Sequence, residues 1–178
     1  MSELVVGSIA GLAANSYVVS VASGSKLVQP GSVLQVVSTT KTDTFTTSSS
    51  SMVDITGLSA SITPSSTSSK ILVIANIYAS CNGSGFNLLN LVRDSTNLAL
   101  GVDGTVENVT AASYVGDTNM QYALQENTIH YVDSPASTSS LTYKIQMNPS
   151  GNTGTINRRA QSTYVGVSST ITLMEIAG

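Results

Sequence analysis

Between Gly57 and Ser80 the pattern of apolar and polar positions changes twice. Leu58, Ala60 and Ile62 alternate with Ser59, Ser61 and Thr63, the period of two expected of a strand with one face in water. Pro64 stops this strand, because proline brings no amide donor to a ladder. From Ile71 to Ala75 every position is apolar, and alternation resumes only at Asn76, Tyr78 and Ser80. A strand apolar on both sides lies between two layers. This one is predicted to be central in a sandwich or to face a partner subunit.

The same reading carries along the chain. Residues 1–15 are small, apolar and punctuated by glycine, and suit either a docking arm with a short strand at Glu3–Val6 or a frayed terminus. Ser16–Val21 reads as a strand, followed by a turn at Ser23-Gly24-Ser25. Pro30-Gly31 is a turn, and Ser32–Val37 a strand apolar on both faces. Thr39–Ser51, nearly all Thr and Ser around Lys41, Asp43 and Phe45, is a polar edge strand with a loop or a mobile hairpin. Met52–Ile55 is a short strand that Gly57 breaks.

Beyond Ser80, Phe86–Val92 fits a strand better than a helix, given Gly85 and the β-rich surroundings. A hairpin turn at 93–97 leads to Leu98–Val102, which pairs back, and Asp103-Gly104 closes it. Residues 105–118 are mixed, with a break at Gly116-Asp117. Met120–Val132 reads as two short extended segments around Gln125-Glu126-Asn127. Leu141–Met147 alternates cleanly, Thr155–Asn157 is a short strand, and Thr170–Ile176 is the last. Many short strands, frequent turns and no helical period predict an antiparallel β-sandwich of jelly-roll type.

Composition sharpens this. In 178 residues there are 51 Ser and Thr, only 10% charged residues and no Trp. The mean hydropathy is nonetheless +0.20, which is easier to reconcile with water if part of the surface is buried between subunits. Net charge is −3 and no basic cluster exceeds Arg158-Arg159, so nucleic acid is not an expected partner. The longest fully apolar run, Ile71–Ala75, is far too short for a membrane span. No Lys or Arg precedes Lys26, so the start lacks the positive region of a secretory signal, and the chain reads as soluble.

Five blocks in order have a family look. They are Ala14–Val21, Pro30–Val37, Gly57–Val73, Tyr131–Gln146 and Ser169–Ile176. Together they resemble a β-domain of tailed-bacteriophage virion proteins, common in phages of marine and freshwater bacteria and often described as tail-fibre-like. The resemblance covers roughly residues 14–176. It implies a trimeric jelly-roll module that acts by shape and contact. Such modules often tip a long fibre, but only about 30 residues precede Pro30-Gly31 here. A module with a short arm (residues 1–30) before the sandwich (31–178) looks more like a capsid cement or decoration protein. The expected partners are then two further copies in a homotrimer and the major capsid protein. In the alternative, a tail-fibre or receptor-binding tip, they are tail proteins and a host receptor.

Catalytic readings are weak. His130 is the one histidine, so any triad or metal proposal must pass through it. Its place in Thr128–Asp133 fits the polar side of a strand, or a pH-sensitive contact on a trimer axis. Asp94, Asp103, Glu107, Asp117, Glu126 and Asp133 mostly neighbour Gly, Asn or Ser, where carboxylates commonly bond their own backbone in turns. Asp103 to Glu107 lacks a full calcium-loop motif. Cys81, the lone cysteine, reads as a packed residue at a strand end. Arg158-Arg159 reads as a solvated pair, able to meet acidic groups of a shell. Tyr17, Tyr78, Tyr114, Tyr122, Tyr131, Tyr143 and Tyr164 are the main large side chains, some of them suited to subunit interfaces. No catalytic, cofactor or metal residues are assigned. Residues 1–15 and 39–51 are the expected particle contacts, and Ile71–Ala75 and Leu141–Met147 the expected core.

Overall fold

The computed structural model describes residues 29–104, 108–116, 123–161, 163 and 165–178. Among them are eleven strands and no helix. Sheet A contains β1 (Val33–Lys41), β2 (Phe45–Thr47), β4 (Lys70–Cys81), β8 (Gln125–Asp133), β10 (Gly154–Ile156) and β11 (Ser169–Ile176). Sheet B contains β3 (Val53–Ile62), β5 (Gly85–Arg93), β6 (Thr96–Leu98), β7 (Ala111–Val115) and β9 (Leu141–Asn148). Every pairing is antiparallel.

The strand order identifies the wrapping. β2 continues β1, and β10 shares with β11 one edge of β4, so sheet A is four strands wide: β1, β11, β4, β8. Sheet B runs β3, β9, β5, β7, with β6 beside β7 on the far edge of β5. First pairs with last, and each inner pair follows suit: β1 with β11, β3 with β9, β4 with β8, β5 with β7. That nesting is the jelly roll.

Between the sheets lies one apolar core. Sheet A contributes Ile71, Val73, Ala75, Ile77, Ile171 and Leu173, and sheet B answers with Leu58, Leu89, Leu91, Tyr143, Ile145 and Met147. Sequence alternation accounts for this in β9, where Leu141, Tyr143, Ile145 and Met147 all point inward. In β4 only half of the apolar run does so. Leu72 and Ile74 lie on the outer face and are half-buried, so the strand is central in its sheet but not buried on both sides within one chain.

Other expectations are redrawn. Of the Thr39–Ser51 stretch, six residues join the edge of sheet A, through the end of β1 and through β2, and the rest is loop, the first of the two expected forms. Its break at 42–44 lies beside the break between β10 and β11, and Asn157 pins the two. The Asn157 amide donates to the carbonyls of Lys41 (2.8 Å) and Asp43 (2.9 Å), and Ser169 Oγ donates to Asn157 Oδ1 (2.6 Å). Gly57 does not end a strand. β3 runs through it with a register shift between Asp54 and Ser59, and a positive φ of 82° suits glycine there. The segment predicted to pair over Leu98–Val102 stops at Leu98, where Ala99 takes a positive φ of 54°. Gln125, Glu126 and Asn127 are the first residues of strand β8, and most of the extended segment expected before them lies outside the described residues. Ser32–Val37 is a strand, but Val33 and Val36 are exposed rather than covered on both sides. The expected strands at Glu3–Val6 and Ser16–Val21 lie outside the described residues.

Candidate interaction face

Pairing registers decide which side chains share a row. Val36 pairs with Met174, Met174 with Leu72, and Leu72 with Val132. Side chains directly opposite one another in adjacent strands share a face, so these four form one apolar row across the whole outer face of sheet A. Its end members are 55% exposed (Val36) and 52% exposed (Val132), while Leu72 and Met174 are half-buried by their neighbours. Val33 and Ile176 sit one row toward the sandwich end, and Ile74 one row the other way. Beyond Ile74 the face turns polar, through Thr40, Thr170, Asn76 and Thr128.

The outer face of sheet B is polar at corresponding positions. Asp54 accepts from Lys144 Nζ (2.8 Å) and Gln146 Nε2 (2.8 Å), and Ser61 Oγ lies 2.8 Å from Thr142 Oγ1. The Lys144 bond first, and then that of Gln146, hold the Asp54 carboxyl below its ordinary range. Apolar side chains of β5 interrupt this face: Leu88 and Val92, opposite Asn148 and Lys144, are buried, and Phe86 is exposed. Phe86 and Tyr114 are opposite each other on β5 and β7, with ring centroids 4.8 Å apart, and both are exposed.

Two carboxylates lie between the sheets at the end closed by the 63–69 loop. Glu175 is 1% exposed and, among the described residues, has no cationic partner. It accepts from Ser65 N and Oγ, from Ser69 Oγ, and from Gln35 Nε2 at 2.6–2.7 Å. Burial alone raises such a group, but the donors from Ser65, Gln35 and Ser69 outweigh it and bring Glu175 down to about 2. The Ser-rich loop is therefore a carboxylate cradle. Asp133, on β8, takes Arg93 of β5 and the Tyr143 hydroxyl (2.7 Å) on one oxygen, joining the two sheets. Burial, then the bond to Asp133, raises the Tyr143 hydroxyl above its usual range.

His130 lies exposed on strand β8, on the outer face of sheet A, in the row next to Val132. Asp94 does sit in a turn, although its carboxylate accepts from Thr142 N of β9 and not from its own backbone, and Asp94 N donates to Thr142 O. Asp133 does not: its carboxylate is an interior clamp. Cys81 is fully buried at the end of β4. Glu107, Asp117, Tyr17, Tyr122 and Tyr164 lie outside the described residues. Among the described residues no three His, Cys, Asp or Glu side chains come together as a metal cluster would require, and none of the candidates forms a nucleophile–base pair.

Sequence reasoning missed Glu175 and the apolar row. The signal for the first was available, since Glu175 falls in step with Ile171 and Leu173, which face inward. The row depends on pairings over as many as 138 residues, from Val36 to Met174, which no local pattern reveals.

Comparison with known proteins adds little. No family model matches the chain, and no curated protein matches it. Among solved structures, the VP2 subviral particle of infectious bursal disease virus is similar at 15% identity and a TM-score of 0.37, over 81% of this chain and 38% of that one. The structure of the Gx strain of the same virus is similar at 13% identity and a TM-score of 0.41, over 90% of this chain and 42% of that one. The present chain thus spans about two fifths of the length of the proteins it matches, and the jelly roll rests on its own strand order.

Proposed function

We propose that this chain is a non-enzymatic structural protein of a phage virion, a homotrimeric capsid cement or decoration protein that binds capsomers and stabilises the head. The observation that carries this reading is the Val36–Met174–Leu72–Val132 row. A contiguous apolar row on an otherwise Ser- and Thr-rich surface is a contact surface, and assembled copies would bury it. Binding that selects assembled capsomers stabilises the shell by mass action. Residues 1–15 and the exposed 48–51 turn would reach the particle. Purified particles test this through the copy number of the chain relative to the major capsid protein. A ratio near one or a simple fraction of it, with heads that open at lower temperature when the chain is removed, is the expected result. Absence from particles contradicts it.

The exposed Phe86–Tyr114 pair favours a second reading, a tail-fibre or receptor-binding tip, since paired rings at a loop-rich end suit contact with a host surface. In that case copies number a few tens at most, and purified protein binds host cells.

A further inference from the structure

Among the described residues, four buried side-chain atoms have no hydrogen-bond partner: Asn87 Nδ2 and Oδ1, Ser113 Oγ and Gln125 Oε1. The strand registers bring them together. Asn87 is 0% exposed and lies in step with Leu89 and Leu91 on the inner side of β5. Ser113 is its direct partner across the β5–β7 pair, so the two side chains share the inner face of sheet B. Gln125 opens β8 in the facing sheet and reaches across, its Nε2 donating to the Tyr114 carbonyl at 2.8 Å. That bond fixes the Gln125 amide, because only its nitrogen can donate. Oε1 is left as an unmet acceptor, one residue along β7 from Ser113.

Buried polar groups are normally bonded, and the other buried asparagines keep that rule. Asn90, Asn127, Asn148 and Asn157 each have at least one partner. Asn87 is the exception, and its neighbours are small. Gly85 precedes it by two residues, Ala111 precedes Ser113 by two, and Ala79 is the β4 partner of Gln125. Elsewhere the same interior is filled by Ile, Leu and Tyr. We infer that Asn87, Ser113 and Gln125 form an internal binding site for water, which joins β5 and β7 of sheet B to β8 of sheet A. All three side chains are neutral, and Glu126 points to the exposed side of β8, so no ion is favoured. Asn87 Oδ1 and Gln125 Oε1 need donors, Asn87 Nδ2 needs an acceptor, and Ser113 can act as either. A buried water makes about three hydrogen bonds, so about one or two waters satisfy the set.

The two ends of the sandwich are then closed by different means. At the Glu175 end the chain meets its buried carboxylates with its own donors, from Ser65, Ser69 and Gln35 on Glu175 and from Arg93 and Tyr143 on Asp133. At the other end solvent completes the link between the sheets. β7 and β8 are edge strands of their sheets and do not pair with each other, and Ser113 and Gln125 are half-buried along that edge. Water can therefore exchange there without unfolding of the core. The site is independent of whether the chain serves a head or a tail.

Water–protein NMR on the isotope-labelled full chain tests the site. Both Asn87 side-chain amide protons should give cross-peaks to water, with the sign of a water that tumbles with the protein. The peaks should persist in Ser113→Ala, which removes the nearby exchangeable hydroxyl. Absence of the peaks at Asn87, or their loss in Ser113→Ala, overturns the site. Oxygen-17 relaxation dispersion counts the waters independently. Asn87→Leu, which keeps the size and removes the amide, should lower the amplitude from long-lived water by that of about one or two molecules; an unchanged amplitude contradicts the site. A high-resolution crystal structure of the unaltered chain decides the matter should Asn87→Leu not fold. A solvent peak within hydrogen-bond reach of Asn87 and of Ser113 or Gln125 supports the site, and a protein group bonded to the Asn87 amide in its place overturns it.

Discussion

The two outer faces of the sandwich belong to sheets of the same antiparallel build, yet they meet water differently. On sheet B the outward positions Asp54, Ser61, Thr142, Lys144 and Gln146 are polar and bonded to one another. On sheet A the outward positions Val36, Leu72, Val132 and Met174 are apolar and lie in one row. Strict alternation in β9 gives one wet face, while the doubled apolar pattern of β4 gives a second apolar surface. The positive mean hydropathy, +0.20, is thus partly concentrated on one side. A partner for that side is a more economical explanation than a uniformly greasy surface.

Substitutions on adjacent residues of β11 sharpen the contrast most. Leu173 is fully buried on the inner face, so Leu173→Ala should cost about 3 kcal/mol in urea unfolding. Met174, next to it and facing out, should cost under about 1 kcal/mol when changed to Ala in the isolated chain. Equal losses would mean the outer face is already covered within one chain.

Acid should act next, through the inner end of sheet A. Glu175 is lowered from 4.5 to about 2, so its carboxylate contributes stability that is fully present above pH 4.5 and is lost as pH falls toward 2. Glu175→Gln should lose on the order of 2 kcal/mol at pH 7 and flatten that part of the profile. Unfolding midpoints at pH 7, 4 and 3 measure both, and an unaltered slope below pH 4.5 would remove Glu175 as the cause.

Smaller changes in stability separate the faces themselves. Val36→Asp should alter unfolding by less than about 0.5 kcal/mol while abolishing association with the particle. Asp54→Asn, on sheet B, breaks a surface pair worth about 0.2–1 kcal/mol and should leave association unchanged. If Asp54→Asn disrupts assembly as strongly as Val36→Asp, the assignment of the faces is reversed.

Much of the architecture could be read from the chain because alternation is a local property. Leu141–Met147 and Leu58–Ile62 announce their inner and outer sides within seven residues. Interior polar groups defeat that reading. Gln125 and Asn127 face inward at the start of β8, so a strand with polar residues on both sides looked like a break. Asp133 stands before Ser134-Pro135 and resembles a turn residue, yet Arg93, 40 residues earlier, draws its carboxylate between the sheets. Glu175 is held by serines 106 and 110 residues before it. Nothing local to the Ser-rich loop shows that the acceptor it cradles lies at the far end of the chain. The interaction face needed three strand registers at once.

Hydroxyl-radical footprinting of purified virions against the isolated chain, read by peptide mass spectrometry, shows whether sheet A is covered in the particle. If sheet A is the contact face, Val36, Met174 and Val132 lose most of their labelling in the virion while Lys144 and Gln146 on sheet B keep theirs. Equal labelling of the sheet A residues in both states would show that the apolar row stays open to water, and the account would fail.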